Sequence, residues 1–346
     1  MDALIQKQFI NSRLLQYNYY ATPSSNVTAT FDQPALLLLH GFPESAATWA
    51  ALIPFLLTLG LRILVPDLLG YGGTSKPWDV SYFRSDSMAS DLAEILAIEN
   101  VSSVIPIGHD WGSFLAHRYY FYYPEQVSGI VLSSYYYEPP IREPVNITQI
   151  AEEREELLGF PLGWYYAFFA SPEAASLLSG NLDSFLSAGY GENGALKETF
   201  GYKDSLRNWL LGDKRRQLES FAHNPDTLKA AQEAFTGSGF VSPLMWYRAY
   251  VNGTQYEAER NLPATADTVD VPLLAIAGKN DPLGPVSLFE TQEAKNAVSD
   301  LTTVEVDSTH FIPVEKPLKM AEAIMEWLES KNLTSGGGFG KRKNGH

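Results

Sequence analysis

The sequence predicts an α/β fold, with one open and mostly parallel sheet, helices on both faces, and a mainly helical insertion. Two observations carry this. Short apolar runs closed by Gly or Pro-Asp alternate with helical patterns as far as residue 134, and the same rhythm returns at residue 271. Parallel strands are buried on both faces and so read as continuous apolar runs, while βαβ alternation places helices on both sides of the sheet.

Taken in order, "ALLLLHG" (35 to 41) and "LRILVPD" (61 to 67) read as buried strands, with a helix expected around Trp49 to Leu59 between them. From Asp86 the apolar residues Met88, Leu92, Ile95 and Leu96 fall on one helical face, and Ser85 or Asp86 is available to cap it. A strand at 103 to 108, a helix at 112 to 122 and the strand "VSGIVLSS" (127 to 134) follow. From about Tyr136 to Ala264 the text changes character, with Pro139, Pro140 and Pro144, an acidic run from Glu152 to Glu156, and many aromatic residues. "VPLLAIAG" (271 to 278), "LTTVEVD" (301 to 307) and a helix with Met320, Ile324, Trp327 and Leu328 on one face restore the earlier pattern. The expected organisation is a core made of 1–135 and 265–333, an insertion at 136–264, and a Gly-rich basic tail at 334–346 that is expected to be disordered.

With 346 residues, 45% of them hydrophobic and 13% aromatic, the chain has material for one large core plus a smaller element. Its formal net charge of −15 repels nucleic acid and anionic membrane surfaces, so neither is an expected partner. The absence of cysteine excludes disulfides, thiolate catalysis and Cys-ligated zinc. No apolar run approaches the roughly 20 residues of a membrane span, and MDALIQKQFINSRLL holds no signal-peptide core. A soluble cytoplasmic protein is therefore expected.

Ligands of open α/β sheets bind beyond the carboxyl ends of the strands. Four such places hold suggestive residues: His40-Gly41-Phe42-Pro43, Asp110, Asp281 in "GKNDP", and His310 in "DSTHFIP". Each alone reads as a turn, a cap or a solvated loop, and Asp110 in particular is a good helix N-cap. Together they follow the order nucleophile, acid, histidine, with the first on a strand-turn-helix elbow, which is the order of the α/β-hydrolase triad. The usual elbow is G-x-S-x-G, whereas this one is Gly108-His109-Asp110-Trp111-Gly112.

With "HGFPES" (40 to 45), "DLLGYGGTSKP" (67 to 77), "GHDWG" (108 to 112) and "WYR" (246 to 248) added, the chain resembles the epoxide hydrolase branch of the α/β-hydrolase family. The resemblance is to the soluble epoxide hydrolase type and runs over nearly the whole length before the tail. This implies the α/β-hydrolase fold, a mostly parallel sheet flanked by helices with a mainly helical lid inserted after the sixth strand. It also implies hydrolysis of an epoxide to a vicinal diol, with no cofactor and no metal. A carboxylate suits that reaction because it is ionised near neutral pH and can displace at an sp3 carbon without a base, leaving an alkyl ester. That ester is then hydrolysed by water, with His310 as general base and Asp281 fixing its tautomer. Asp267, Asp270 and Asp307 compete for the place of Asp281.

The resemblance further implies an oxyanion hole formed by the backbone N–H groups of Phe42 and Trp111, and two lid tyrosines that donate to the epoxide oxygen. Tyr247 of "WYR" is one. Aligning Phe169 and Pro172 of "GWYYAFFASPEA" selects Tyr165 as the other, with its neighbour Tyr166 as rival. His40 and His109 are expected to shape the oxyanion loop and the elbow, and Asp67 to hold a structural hydrogen bond. His117, His223 and His346 have no evident partner. The expected substrates are water and a small epoxide, apolar or aromatic in view of the aromatic insertion. Two alternatives stand beside this reading. One is a hydrolytic dehalogenase using the same aspartate, although "HGFPES" lacks the Asn after His-Gly and the elbow lacks an Arg after the nucleophile. The other is a non-hydrolytic biosynthetic or binding member of the fold.

Overall fold

A computed structural model describes residues 1–334 apart from 24, 26, 29–32, 193, 224–234 and 236–238. The expected disorder of the tail therefore concerns residues that, beyond Thr334, lie outside those described.

Eight strands form one sheet: β1 (Ile5–Ile10), β2 (Gln16–Ala21), β3 (Ala35–Leu39), β4 (Ile63–Pro66), β5 (Val104–His109), β6 (Ile130–Ser133), β7 (Leu273–Gly278) and β8 (Leu301–Val306). Their order across the sheet is β1-β2-β4-β3-β5-β6-β7-β8. β1 pairs with β2, and β2 with β4, in antiparallel fashion, and every later pairing is parallel. The central strands β3, β4, β5, β6 and β7 are buried along their whole length, which is why they read as unbroken apolar runs.

Three local expectations need correction. The residue pattern marked four strands before the insertion, but β1 and β2 precede them as a hairpin. β1, IQKQFI, is half-exposed and polar, and β2, QYNYYA, buries its tyrosines through hydrogen bonds of their hydroxyls, so neither carries an aliphatic signal. The helix expected over Trp49 to Leu59 is broken into short turns at Ala46–Trp49, Ile53–Leu56 and Leu57–Leu59, because Pro54 can only start a helical segment and Gly60 ends the last one at φ 68°. Helix α1 (Ser85–Ile98) has Arg84 at its N-cap with no side-chain cap; the Ser85 hydroxyl donates instead to Glu259, 2.8 Å away.

Helix α2 (Trp111–Tyr122) follows β5 directly. Between β6 and β7 the described residues hold no strand, only helices, among them α3 (Ile147–Leu158), α4 (Trp164–Ala170), α5 (Leu182–Tyr190), α6 (Met245–Val251) and α7 (Thr254–Glu259). The chain closes with α8 (Pro317–Ser330). On one face of the sheet Leu36, Leu38, Ile105 and Ile107 pack with Ile324 and Trp327 of α8. On the other, Leu37 and Leu39 pack with Phe114 and Leu115 of α2, and this core continues into Phe169, Phe185, Trp246 and Tyr247 of the inserted helices. A buried ion pair joins the two parts: the Arg118 guanidinium on α2 meets Glu259 of α7 at 3.1 Å, with both side chains fully buried. Glu259 also accepts from Ser85 and from the Ile141 backbone N–H, so its charge is fully partnered. No helix among the described residues is long and apolar enough to cross a membrane.

Candidate active site

The elbow is set by space. A Cβ on Gly112 would lie 1.9 Å from the Leu39 carbonyl oxygen, and one on Gly108 would lie 2.3 Å from the backbone of Ser113, so α2 approaches β3 and β5 only through glycine. Asp110 between them is held at φ 50°, a conformation that non-glycine residues seldom adopt. It occupies the N-cap position of α2, yet its side chain makes no capping hydrogen bond. Asp110 Oδ1 instead accepts from the backbone N–H of Phe42 at 2.8 Å, and Oδ2 lies 3.7 Å from His310 Nε2.

His310, after β8, is 2% exposed, and its Nδ1 stands 2.9 Å from Asp281 Oδ2. A carboxylate can only accept here, so Nδ1 carries the proton and Nε2 faces Asp110. Asp281 is itself fixed by accepting from the Leu283 N–H at 2.8 Å. Its rivals lie elsewhere: Asp267 pairs with Arg142, Asp307 accepts from Asn280, and the Asp270 backbone N–H donates to Tyr120. Burial alone would lower the basicity of His310, but the carboxylates of Asp281 and Asp110 outweigh it, and its pKa is pushed up to about 10.

The backbone of His310 is held as firmly as its ring. Its carbonyl accepts from His109 Nε2 and from the Ser134 hydroxyl, both at 2.8 Å. Ser134, immediately after β6, sits at φ 55°. The other nitrogen of His109 meets Glu44 at 2.8 Å, and Glu44 accepts from the Gly41 N–H at 3.0 Å, so one buried chain links the Phe42 loop, the elbow and the His310 loop. Burial opposes ionisation of Glu44, but His109 beside it holds the carboxyl below the usual glutamate range. His40 accepts from the Leu68 N–H on Nε2 and so donates to the Gly41 carbonyl on Nδ1; burial lowers its pKa and keeps it neutral. Asp67 accepts from the backbone of Ala46 and Gly73 and from Asn18. Nothing in the sequence around Glu44 or Ser134 points to these contacts: Glu44 lies inside "HGFPES", 65 residues from His109, and Ser134 follows a strand with no local signal.

The inserted helices close the site from above. Tyr165 on α4 and Tyr247 on α6 line a narrow pocket of about 30 Å³ together with Asp110, His310, Phe42 and Phe185. Tyr166 does not line it and packs edge-on against Trp111 instead. The hydroxyls of Tyr165 and Tyr247 are pushed well above the usual phenol pKa, first by burial and further by their neighbours, including Asp110, so both stay protonated. "WYR" explains how they are aimed. Trp246 Nε1 donates to the Leu69 carbonyl at 2.9 Å, docking α6 on the loop after β4. Arg248 donates to the Ala170 and Ser171 carbonyls at the end of α4, at 3.2 and 3.1 Å, tying the two tyrosine helices together. His117 hydrogen-bonds to the Ser113 carbonyl at 2.7 Å, away from the pocket. Among the described residues, no group of three or more His, Asp and Glu side chains is arranged to hold a metal ion.

A carboxylate on a strained turn, a histidine oriented by a second acid, and a strand order with parallel crossovers together mark a known architecture. Residues 34–317 match the model of the alpha/beta hydrolase fold. The chain belongs to the α/β-hydrolase-fold family. It is 29% identical to epoxide hydrolase srdG of Neurospora crassa over 92% of this chain and 94% of that one. It is 28% identical to epoxide hydrolase A of Mycobacterium tuberculosis, over 87% and 92% of the two chains. Its match to the bifunctional epoxide hydrolase 2 of Sus scrofa, 26% identical over 86% of this chain, covers 52% of that longer protein. In structure, epoxide hydrolase A of Mycobacterium thermoresistibile superposes with a TM-score of 0.72 at 22% identity, covering 94% of this chain and 98% of the other.

Proposed function

We propose that this α/β-hydrolase is an epoxide hydrolase that forms a covalent ester on Asp110. The observation that carries the reading is the opposition of donors and acceptors in one apolar pocket, with Asp110 beneath and the protonated phenols of Tyr165 and Tyr247 on the side of the inserted helices. An epoxide opened by a carboxylate leaves an alkoxide that must take up a proton, and two phenols suit that need better than they suit a halide. With Oδ1 held by the Phe42 N–H, Oδ2 is the oxygen free to attack. The epoxide C–O bond breaks as the new ester C–O bond forms, and the alkoxide takes a proton through the tyrosines.

Ester formation then changes His310. Asp110 loses its charge, one of the two carboxylates that hold the imidazolium protonated is gone, and Nε2 becomes able to take a proton from water. The proton His310 gives up balances the one the alkoxide took. Hydroxide adds to the carbonyl carbon of the ester, the oxyanion rests on the Phe42 and Trp111 N–H groups, and collapse releases the diol. In this reading residues 136–264 act as the lid on a core of 1–135 and 265–333, and the apolar walls favour an apolar or aromatic epoxide.

A single turnover in ¹⁸O-water, with enzyme in excess over styrene oxide, tests the scheme. Water attacks the ester carbonyl, so peptide mapping finds ¹⁸O on Asp110 and little in the first-turnover diol. Heavy oxygen in that diol would mean that water attacked the epoxide directly, and the ester would have to be given up.

A further inference from the structure

Behind Tyr165 and Tyr166 lies a second, small space of about 20 Å³, into which Arg154 of α3 projects. It adjoins the catalytic pocket, since Tyr165 and Leu283 line both. Arg154 is exceptional among the arginines of the described residues. Arg13, Arg62, Arg84, Arg118, Arg142, Arg207, Arg215, Arg216 and Arg260 each pair with a carboxylate. Arg248 donates to the carbonyls at the end of α4. Arg154 has neither, although Glu152, Glu153, Glu155 and Glu156 surround it in sequence. Those four glutamates face solvent, while Arg154 is turned inward and half-buried. Its guanidinium donates to the Tyr136 hydroxyl and lies 4.4 Å from the centre of that ring. The fork is thus held in one orientation, with most of its five N–H donors unspent. In a chain with 40 acidic and 25 basic residues, a half-buried guanidinium that feels Glu138 only at a distance and hydrogen-bonds to no carboxylate stands ready for one from outside.

We infer that this second space is a substrate subsite, in which Arg154 binds an anionic oxygen acceptor, a carboxylate in the simplest case, carried on the far side of an aryl epoxide. The epoxide lies against Asp110 as in the function proposed above, on which this inference rests, and the substituent passes between Tyr165 and Leu283. Tyr136 holds the guanidinium in place, and the planar fork meets the carboxylate through two parallel hydrogen bonds.

The test compares 3- and 4-carboxystyrene oxide with the 3- and 4-methyl compounds, which carry a smaller, uncharged group at the same positions. Wild-type enzyme favours at least one carboxylate over its methyl counterpart in kcat/KM. In Arg154→Gln that preference falls by about 10- to 100-fold, the scale of a hydrogen-bonded charge pair, while Arg154→Lys keeps part of it. Because the ratio is read within each variant, general damage to the fold cancels. A second measurement needs no turnover: calorimetry of the matching carboxylate-bearing diol shows binding to wild type that weakens by a similar factor in Arg154→Gln. Hydrolysis of the methyl compounds with no preference for either carboxylate, or a preference that survives in Arg154→Gln, overturns the subsite and leaves epoxide hydrolysis standing. If no styrene oxide is turned over but the carboxylate diol still binds through Arg154, the subsite stands and the epoxide reading falls.

Discussion

Asp110 and His310 are held by backbone geometry and hydrogen bonds, whereas Tyr165 and Tyr247 are held by rings. On the sheet side the anchoring atoms have named partners: Phe42 on Asp110 Oδ1, Asp281 on His310 Nδ1, and His109 and Ser134 on the His310 carbonyl. On the helix side the Tyr247 ring contacts Phe42, Trp111 and Phe169 at 5.4, 5.0 and 4.6 Å, and Tyr165 contacts Phe169 and Phe200 at 6.0 and 5.5 Å. Hydrogen bonds fix an atom along a direction; ring contacts, each worth about 0.5–1.5 kcal/mol, fix a side chain by shape. A change of chemical type should therefore be ruinous on the sheet side, while on the helix side a phenol can lose its hydroxyl and keep its place.

The sharpest way to break this contrast is Asp110→Asn. Asn caps helices about as well as Asp, and the amide oxygen can still accept from Phe42. Turnover of styrene oxide should nevertheless fall by about 10⁴-fold or more, as when a covalent nucleophile is removed, while the melting temperature moves by no more than a few degrees. An active Asp110→Asn enzyme would reduce Asp110 to an anchor for the Phe42 loop and remove it as nucleophile.

On the helix side the expected loss is smaller. Tyr165→Phe and Tyr247→Phe keep their ring contacts and lose one donor to a developing charge, which costs about 10²- to 10³-fold in the alkylation rate, read by stopped flow under single turnover, with little change in substrate affinity. Tyr166→Phe, outside the catalytic pocket, should be mild. If Tyr166→Phe is the damaging change, the donor on α4 lies one residue further along.

The smallest effect is on stability. The pKa of His310 is raised from an ordinary 6.5 to about 10 in the folded protein, so its contribution is fully present below about pH 6.5 and is lost as the pH climbs through 10. The difference in melting temperature between wild type and His310→Gln should accordingly be largest near pH 6 and shrink towards pH 10. A difference that stays constant over that range would show that the two carboxylates do not stabilise an imidazolium there.

How far the site could be read from the sequence follows the same divide. Asp110 and Asp281 each follow a strand that announces itself as an apolar run, His310 follows the alternating strand LTTVEV, and flanking glycines mark the elbow. Chain order brought all three forward, although it left Asp267, Asp270 and Asp307 as rivals of Asp281. The tyrosines were harder, because α4 and α6 are short helices in a segment where aromatic residues serve as both core and lining, and "WYY" offers two adjacent hydroxyls with nothing local to separate them. The hairpin β1–β2 stayed silent because its burial depends on tyrosine hydroxyls finding Asp91 and Glu99, contacts 74 and 80 residues away. Ser134 and Glu44 act through distant carbonyls and imidazoles, so their neighbours in sequence say nothing about them.

The last strand has a consequence for the making of the protein. β8 forms the outer edge of the sheet, touches only β7 there, and delivers a histidine whose carbonyl meets His109 across a separation of 201 residues. On a ribosome the strand that bears Asp110 emerges with most of the chain still unmade, and the groups needed to free it from an ester arrive among the last. On the mechanism proposed here, Asp110 without His310 can form an ester and has no base to release it. Repeated turnover begins only when the far side of the sheet has docked.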